Sequence, residues 1–350
     1  MATRRAFLAG LAASALPRMT WADAGNPAYL AAAKLPDDSY ALHGLSPAGT
    51  TLFTIPLPAR GHAACVHPTR AQAVAFARRP GTYALVLDAV TGTIAHRLTP
   101  PDGRQFNGHG AFSANGSVLF TSEQVADGSA GRLGLWDTVN YIRIGDVSTG
   151  GIGPHDVRLL PGGGLVVANG GIETDATDRT KLNIPAMQPS LAYLSENGVI
   201  DNIITLDQTL HQNSIRHLAL FDGGVAFAMQ WEGDPAETPP LLGLHRTDSR
   251  PQLYALPDTD APAMKNYAGS IAVSGNTVAL TSAHGGVVAR FALDGTPLPL
   301  ITRADASGVA PHADGFLLSD GQGAVSLLSV NGLQPLTTEA LSWDNHLIAL

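Results

Sequence analysis

Residues 62–98 read HAACVHPTRAQAVAFARRPGTYALVLDAVTGTIAHRL, and their punctuation decides the fold. HAACV is a short apolar run, HPTR a turn and QAVAFA a second run. RRPGT is a loop, YALVLD a third run, AVTG a turn and TIAHRL a fourth run. Runs of four to seven residues rich in Val, Leu, Ala and Phe, broken by Gly, Pro and Asp or Thr next to Gly, are strands joined by tight turns.

The same order recurs from residue 109 (HGAFS, SVLFTSE, LGLWDT, YIRIGDV), from 155, from 217, from Gly269 and from near Gly308. A lone strand, HLIAL at 346–350, ends the chain, and three strands without a leader begin it: YLAAAKL, SYALHGL and TTLFTIPL. Together these make a seventh unit. Four-stranded units recurring at roughly 40–50 residues are the signature of a β-propeller. The predicted fold is all-β, a seven-bladed propeller over residues 25–350, closed by pairing the C-terminal strand with the N-terminal three. Closure removes the exposed sheet edge.

The first residues, MATRRAFLAGLAASALPRMTWADA, combine Arg4 and Arg5, an apolar run from Ala6 to Leu16 and the small-residue pattern Ala22-Asp23-Ala24. The run is too short to span a bilayer, and no other transmembrane segment is expected. Residues 1–24 therefore read as a removable signal peptide of the twin-arginine type, and the periplasm as the destination. With 45% apolar residues the chain buries a sizeable core, and a net charge of -8 gives no footprint for nucleic acid. Cys65 is the single cysteine, so no intrachain disulfide or thiolate cluster can form; amid apolar neighbours it reads as a buried, inert thiol. A monomer is expected.

Five units open with a histidine: His62, His109, His155, His217 and His346. In a propeller the first strand of each blade lines the central channel, so these side chains are expected to converge on one mouth of the axis. Units five and six offer Gly269 and Gly308 instead. A single histidine at a strand start ordinarily bonds a neighbouring carbonyl; five at one structural position go beyond what strand chemistry requires. Neutral imidazoles without thiolates suit iron, copper or zinc. Glu123 or Asp156 could add an oxygen ligand and tilt the preference to iron, with Asn169, Gln230 and Asp344 fixing tautomers behind the ligands. His284 and the pair Arg78 and Arg79 belong to loops expected on the same face, as do insertions at 124–131, 173–190 and 232–240. His67 and His312 fall in turns at the opposite face; His43, His96 and His245 fall on outer strands.

The phrases GHAACVHPTRAQAVAFARRPGT, FNGHGAFSANGSVLFTSE, GGIGPHDVRLLPGGGLVVANGGI, KLNIPAMQPSLAYL, LHQNSIRHLAL and WDNH, in this order, resemble the bacterial family known as domain of unknown function 1513. The resemblance spans essentially all of residues 25–350. It implies exported propellers encoded beside imelysin-type and di-haem periplasmic proteins, hence an accessory role in iron acquisition with such proteins as partners. It implies no reaction. Two other functions stay open: a propeller hydrolase of the lactonase kind using Glu123, Asp156 or a histidine as acid or base, and a metal-free interaction scaffold.

Overall fold

A computed structural model describes residues 19–78 and 82–350, which places Arg79 and the twin-arginine pattern outside the described residues. Every sheet has four strands, and there are seven of them. Blade 1 is composite: Ser342–Ala349 lies innermost, followed by Tyr29–Lys34, Tyr40–Leu45 and Thr51–Leu57. The inner strands of blades 2 to 7 are Gly61–Val66, Arg104–Phe112, Pro154–Leu159, Asn213–Phe221, Ser270–Ser274 and Ala306–His312. Each continues outward through three further antiparallel strands in chain order. The expected closure is present: Tyr29 pairs with Ala349, Leu30 with Ile348 and Ala31 with Leu347.

Seven apolar clusters seal the seven blade interfaces. Leu30, Leu42 and Ile55 of blade 1 meet Ala64, Ala75 and Leu85 of blade 2. At the other side of blade 1, Tyr29, Leu45 and Trp343 meet Leu317 and Val325 of blade 7. A blade is thus covered on both faces, which is why its middle strands are continuously apolar, as in QAVAFA, where five of six residues are buried. Outer strands cover less: in TIAHRL only Leu98 is buried. Burying a Leu or Phe contributes about 1.5–3 kcal/mol, so the interfaces dominate stability.

The inner strands carry a feature that periodicity does not predict. In blade 2 the pairing jumps from Gly61↔Ala77 to Ala64↔Ala75, leaving one extra residue on the inner strand. Jumps that also leave one extra residue lie between Pro154 and Val157, Ile215 and His217, and Ala306 and Val309, and those between Phe106 and Gly110 and between Trp343 and Leu347 leave two. Blade 6 alone pairs without interruption, from Ser270↔Thr281 to Ser274↔Thr277. These are β-bulges, which free a residue from the ladder and re-aim its side chain.

The bulges correct the expected position of the histidines. His109, His217 and His346 are not at strand entrances but well inside strands that begin at Arg104, Asn213 and Ser342. Residues 124–131, expected as a loop insertion, are half strand, since Val118–Val125 and Ala130–Asp137 extend toward each other around a four-residue turn. The 173–190 insertion is ordered by a bridge between Thr174 and Lys181 and by Asn183, which donates to Gly171 O at 2.9 Å. Among the described residues no helix is long and apolar enough to cross a membrane. Trp21, ahead of the Ala22-Asp23-Ala24 pattern, donates from Nε1 to His67 O at 2.9 Å.

Candidate metal centre

Each bulge frees backbone groups that need partners, because an unpaired buried amide costs about as much as a lost hydrogen bond. Side chains of the ring supply them. The Ser122 hydroxyl donates to His109 O at 3.1 Å and accepts from His109 N at 3.3 Å. Asp156 accepts from its neighbour Val157 N at 2.9 Å and, across the blade interface, from Leu218 N at 3.0 Å. Gly108 has φ +96°, and a Cβ there would meet the His62 ring at 2.5 Å. Glycine therefore provides both the turn and the room for one blade's imidazole to lie against the next.

The five histidines of the repeat are brought together. Ring centroids are 4.9 Å apart for His62 and His109, 4.7 Å for His109 and His155, 4.7 Å for His155 and His217, 4.7 Å for His217 and His346, and 4.6 Å for His62 and His346. Two sets, His62–His109–His155 and His109–His217–His346, each offer three nitrogens within 4.8 Å of one another. His109 belongs to both. Burial, with mutual repulsion among the imidazoles, pushes His62, His155, His217 and His346 well below the usual histidine range, so these rings are neutral. Their neutrality leaves lone pairs for a ligand.

The donor set also shows what is missing from it. His62 Nδ1, His217 Nδ1 and His346 Nε2 are buried without a hydrogen-bond partner, whereas most buried polar atoms have one. His62 Nε2 lies 3.2 Å from His109 Nε2, so one proton at most is held between them. On the far side of the His109 ring, Nδ1 is 3.3 Å from Asp156 Oδ1. Burial alone would raise Asp156, but Arg158 and His109 outweigh it and hold the carboxyl well below the usual range. An ionised carboxylate at Nδ1 fixes the proton there and leaves Nε2 as an acceptor or metal ligand.

The remaining predicted residues separate. Glu123 is fully buried but faces away from the ring, where Arg143 grips it bidentately at 2.8 and 3.0 Å and Thr121 donates to it at 2.7 Å. It sits inside a strand that runs to Val125, not at the ring where an oxygen ligand would be needed. Asn169 donates to Thr149 O and Ser190 Oγ, and Asp344 pairs with Arg60 and Arg78, so neither orients a ring imidazole. Asp156 has that task for His109. His284 stacks on Tyr267 with centroids 4.0 Å apart. His245, assigned by the sequence to an outer strand, is buried, with its ring nitrogens bonded to Tyr193 Oη at 2.7 Å and Ser249 O at 3.0 Å. His43 is buried as well. Cys65 is buried, and burial pushes its thiol up, so it is inert as predicted.

Over the histidines lies a cavity of about 220 Å³. His62, His155 and His217 form its floor, Gln230 is in its wall, and Arg78, Arg179, Lys181, Arg216 and Glu232 surround it. Where blades 6 and 7 contribute no imidazole, Tyr267 occupies the wall and accepts a hydrogen bond from Asn345 Nδ2 at 2.9 Å. Arg78 is where the sequence places it, on this face; Arg179, Lys181 and Arg216 were not anticipated. Arg216 could have been, since it precedes His217 in an inner strand; Arg179 and Lys181 reach the cavity only because the 173–190 insertion folds over it.

Closed sheets around an axis, with ligand-type side chains from separate blades meeting on it, define a seven-bladed β-propeller with a histidine-lined channel. The chain belongs to the family described as protein of unknown function (DUF1513), matched over residues 55–350. No curated protein matches it. Among solved structures it is similar to hydrazine synthase of Kuenenia stuttgartiensis, with a TM-score of 0.60 and 14% identity over 86% of this chain and 90% of that one. It is also similar to BamB of Moraxella catarrhalis, with a TM-score of 0.55 and 13% identity over 89% and 82% of the two chains. Likeness at this identity concerns the fold alone.

Proposed function

We propose that this protein is a periplasmic metal-binding propeller, holding one transition-metal ion on the imidazoles of His62, His109, His155, His217 and His346. The observation that carries the reading is the convergence of five imidazoles, four of them held neutral by burial and the fifth, His109, backed by the carboxylate of Asp156. An imidazole oriented by a carboxylate is the usual arrangement behind a metal-ligating histidine. The orphan nitrogens of His62, His217 and His346 support it, since each belongs to a histidine of one of the two sets that could hold a metal ion.

Iron was favoured on the strength of an oxygen ligand. Glu123 is committed to Arg143, and the Asp156 oxygens serve His109, Arg158 and two backbone amides. The donors are then nitrogens alone, and by affinity order copper and zinc stand above ferrous iron at such a set. An accessory part in iron handling beside imelysin-like or di-haem partners rests on the family resemblance, and export on the Arg4-Arg5 pattern. Acid–base hydrolysis has less support, because both candidate carboxylates are already ion-paired.

The test is elemental analysis of the protein isolated from a periplasmic extract without chelators. Stoichiometric copper, zinc or iron is expected, and its identity names the metal. Metal-free protein recovered from that compartment would leave the scaffold reading in its place.

A further inference from the structure

The cavity above the histidines is positively charged in a protein whose net charge is -8. Arg78, Arg179, Lys181 and Arg216 line it against one lining carboxylate, Glu232. Asp344 offsets Arg78 at 2.9 Å, but Arg60 shares the same carboxylate. Glu232 pairs with Lys181 and lies 3.8 Å from Arg216. Two acids thus face an excess of cations.

We propose that this cavity binds a small oxyanion carrying two or more negative charges, of the polycarboxylate or phosphate class.

Four features of the cavity support it. Arg216 is almost buried, and its Nε has no hydrogen-bond partner; a buried cation is costly unless an anion satisfies it. The cations are gathered from separate elements onto one cavity, Arg78 from blade 2, Arg216 from the inner strand of blade 5 and Arg179 and Lys181 from the 173–190 insertion. Guanidinium groups are the side chains best shaped for bidentate capture of carboxylate and phosphate. Finally, Tyr267 accepts from Asn345 and keeps its own phenolic proton to donate.

The local backbone is built to present Arg179. It has φ +66° in a turn where Asp175 accepts from Thr177 N at 2.7 Å and Asp178 accepts from Thr180 N at 2.8 Å. A left-handed conformation at a residue with a Cβ is unfavourable unless its surroundings hold it. The volume, about 220 Å³, admits a small organic anion rather than a lone ion. Positive charge at the mouth also repels a bare divalent cation, so a metal reaching the floor is favoured as an anionic complex. The anion site itself rests on the cations and does not need the metal.

The full chain, stripped of metal with a chelator that is then dialysed away, is titrated calorimetrically with citrate and separately with inorganic phosphate. Saturable binding of either probe is expected, and the tighter one identifies the class. Arg179→Gln combined with Lys181→Gln, both on the surface insertion, should weaken it at least tenfold while the protein stays folded. Arg216→Gln should do the same if it folds, but the surface pair carries the test. Absence of binding of both probes by folded wild type, or equal affinity in the double variant, overturns the proposal. Metal retention, read separately by elemental analysis, is untouched by either outcome.

Discussion

Asp156 Oδ1 stands 3.3 Å from His109 Nδ1, and through His109 Nε2 the line continues to His62 Nε2 at 3.2 Å. One carboxylate thereby sets the tautomer of the histidine shared by both candidate ligand sets. Asp156→Asn keeps the shape and removes the charge. Loss of such an outer partner typically costs 10–100-fold in metal affinity, and a loss of about that size is expected in competition titrations with a chromogenic chelator. Unchanged affinity would mean that Asp156 serves only the backbone amides of Val157 and Leu218.

Glu123 should behave oppositely. Removing one member of a buried pair leaves its partner's charge uncompensated, which costs about 3–5 kcal/mol when no other partner is present. Asp146 remains 3.3 Å from Arg143, so Glu123→Gln is expected to cost less, about 2–3 kcal/mol, in urea unfolding. Its metal content should equal that of wild type. Metal lost from a Glu123→Gln protein that stays folded would make Glu123 a ligand after all.

Blade closure gives a third expectation. Leu347 is buried at the junction of blades 1 and 7 with Trp343 and Tyr29. Leu347→Ala should destabilise the protein by about 2–5 kcal/mol. Truncation after Leu341, which removes the whole inner strand of blade 1, should prevent cooperative folding, followed by circular dichroism through a thermal scan. A truncated chain that melts like wild type would break the composite-blade account.

The metal-free protein should also lose stability in mild acid. Burial holds His62, His155, His217 and His346 neutral in the fold, whereas in the unfolded chain they titrate near 6.5. Above about pH 6.5 neither state is protonated and the ring contributes no pH dependence. Below it the unfolded chain takes up protons that the folded ring refuses, so stability falls by up to about 1.4 kcal/mol per pH unit for each histidine. Asp156, depressed in the fold, adds its own loss only below about pH 4. Urea midpoints between about pH 8 and pH 5 test the sign, and a flat profile there would show that the folded ring accepts protons.

The blades were legible because their signals are local: alternating strands and turn residues at a steady spacing, with HLIAL left over to complete YLAAAKL. The five histidines were legible because a repeat assigns one position many times. The bulges were not, since they are a property of pairing between strands and appear only when Gly61 is matched to Ala77 and Ala64 to Ala75. Glu123 was not legible as a structural residue for the same reason; its partner Arg143 comes from another strand. The cations gave no periodic signal, because Arg216 is placed by a bulge and Arg179 and Lys181 by the fold of a single insertion.

The central claim is tested most directly by dialysing chelator-stripped wild type, His109→Ala and His96→Ala at neutral pH against copper, zinc and ferrous iron in turn. His109 is common to both ligand sets, whereas His96 is a partly buried residue of an outer strand, remote from the ring and packed on Tyr141. Because the two sets share a ligand, wild type and His96→Ala should each retain about one ion per chain of at least one metal. His109→Ala should retain essentially none while keeping the circular dichroism of the propeller. Folded wild type that retains no metal, or His109→Ala that retains as much as wild type, would contradict the account.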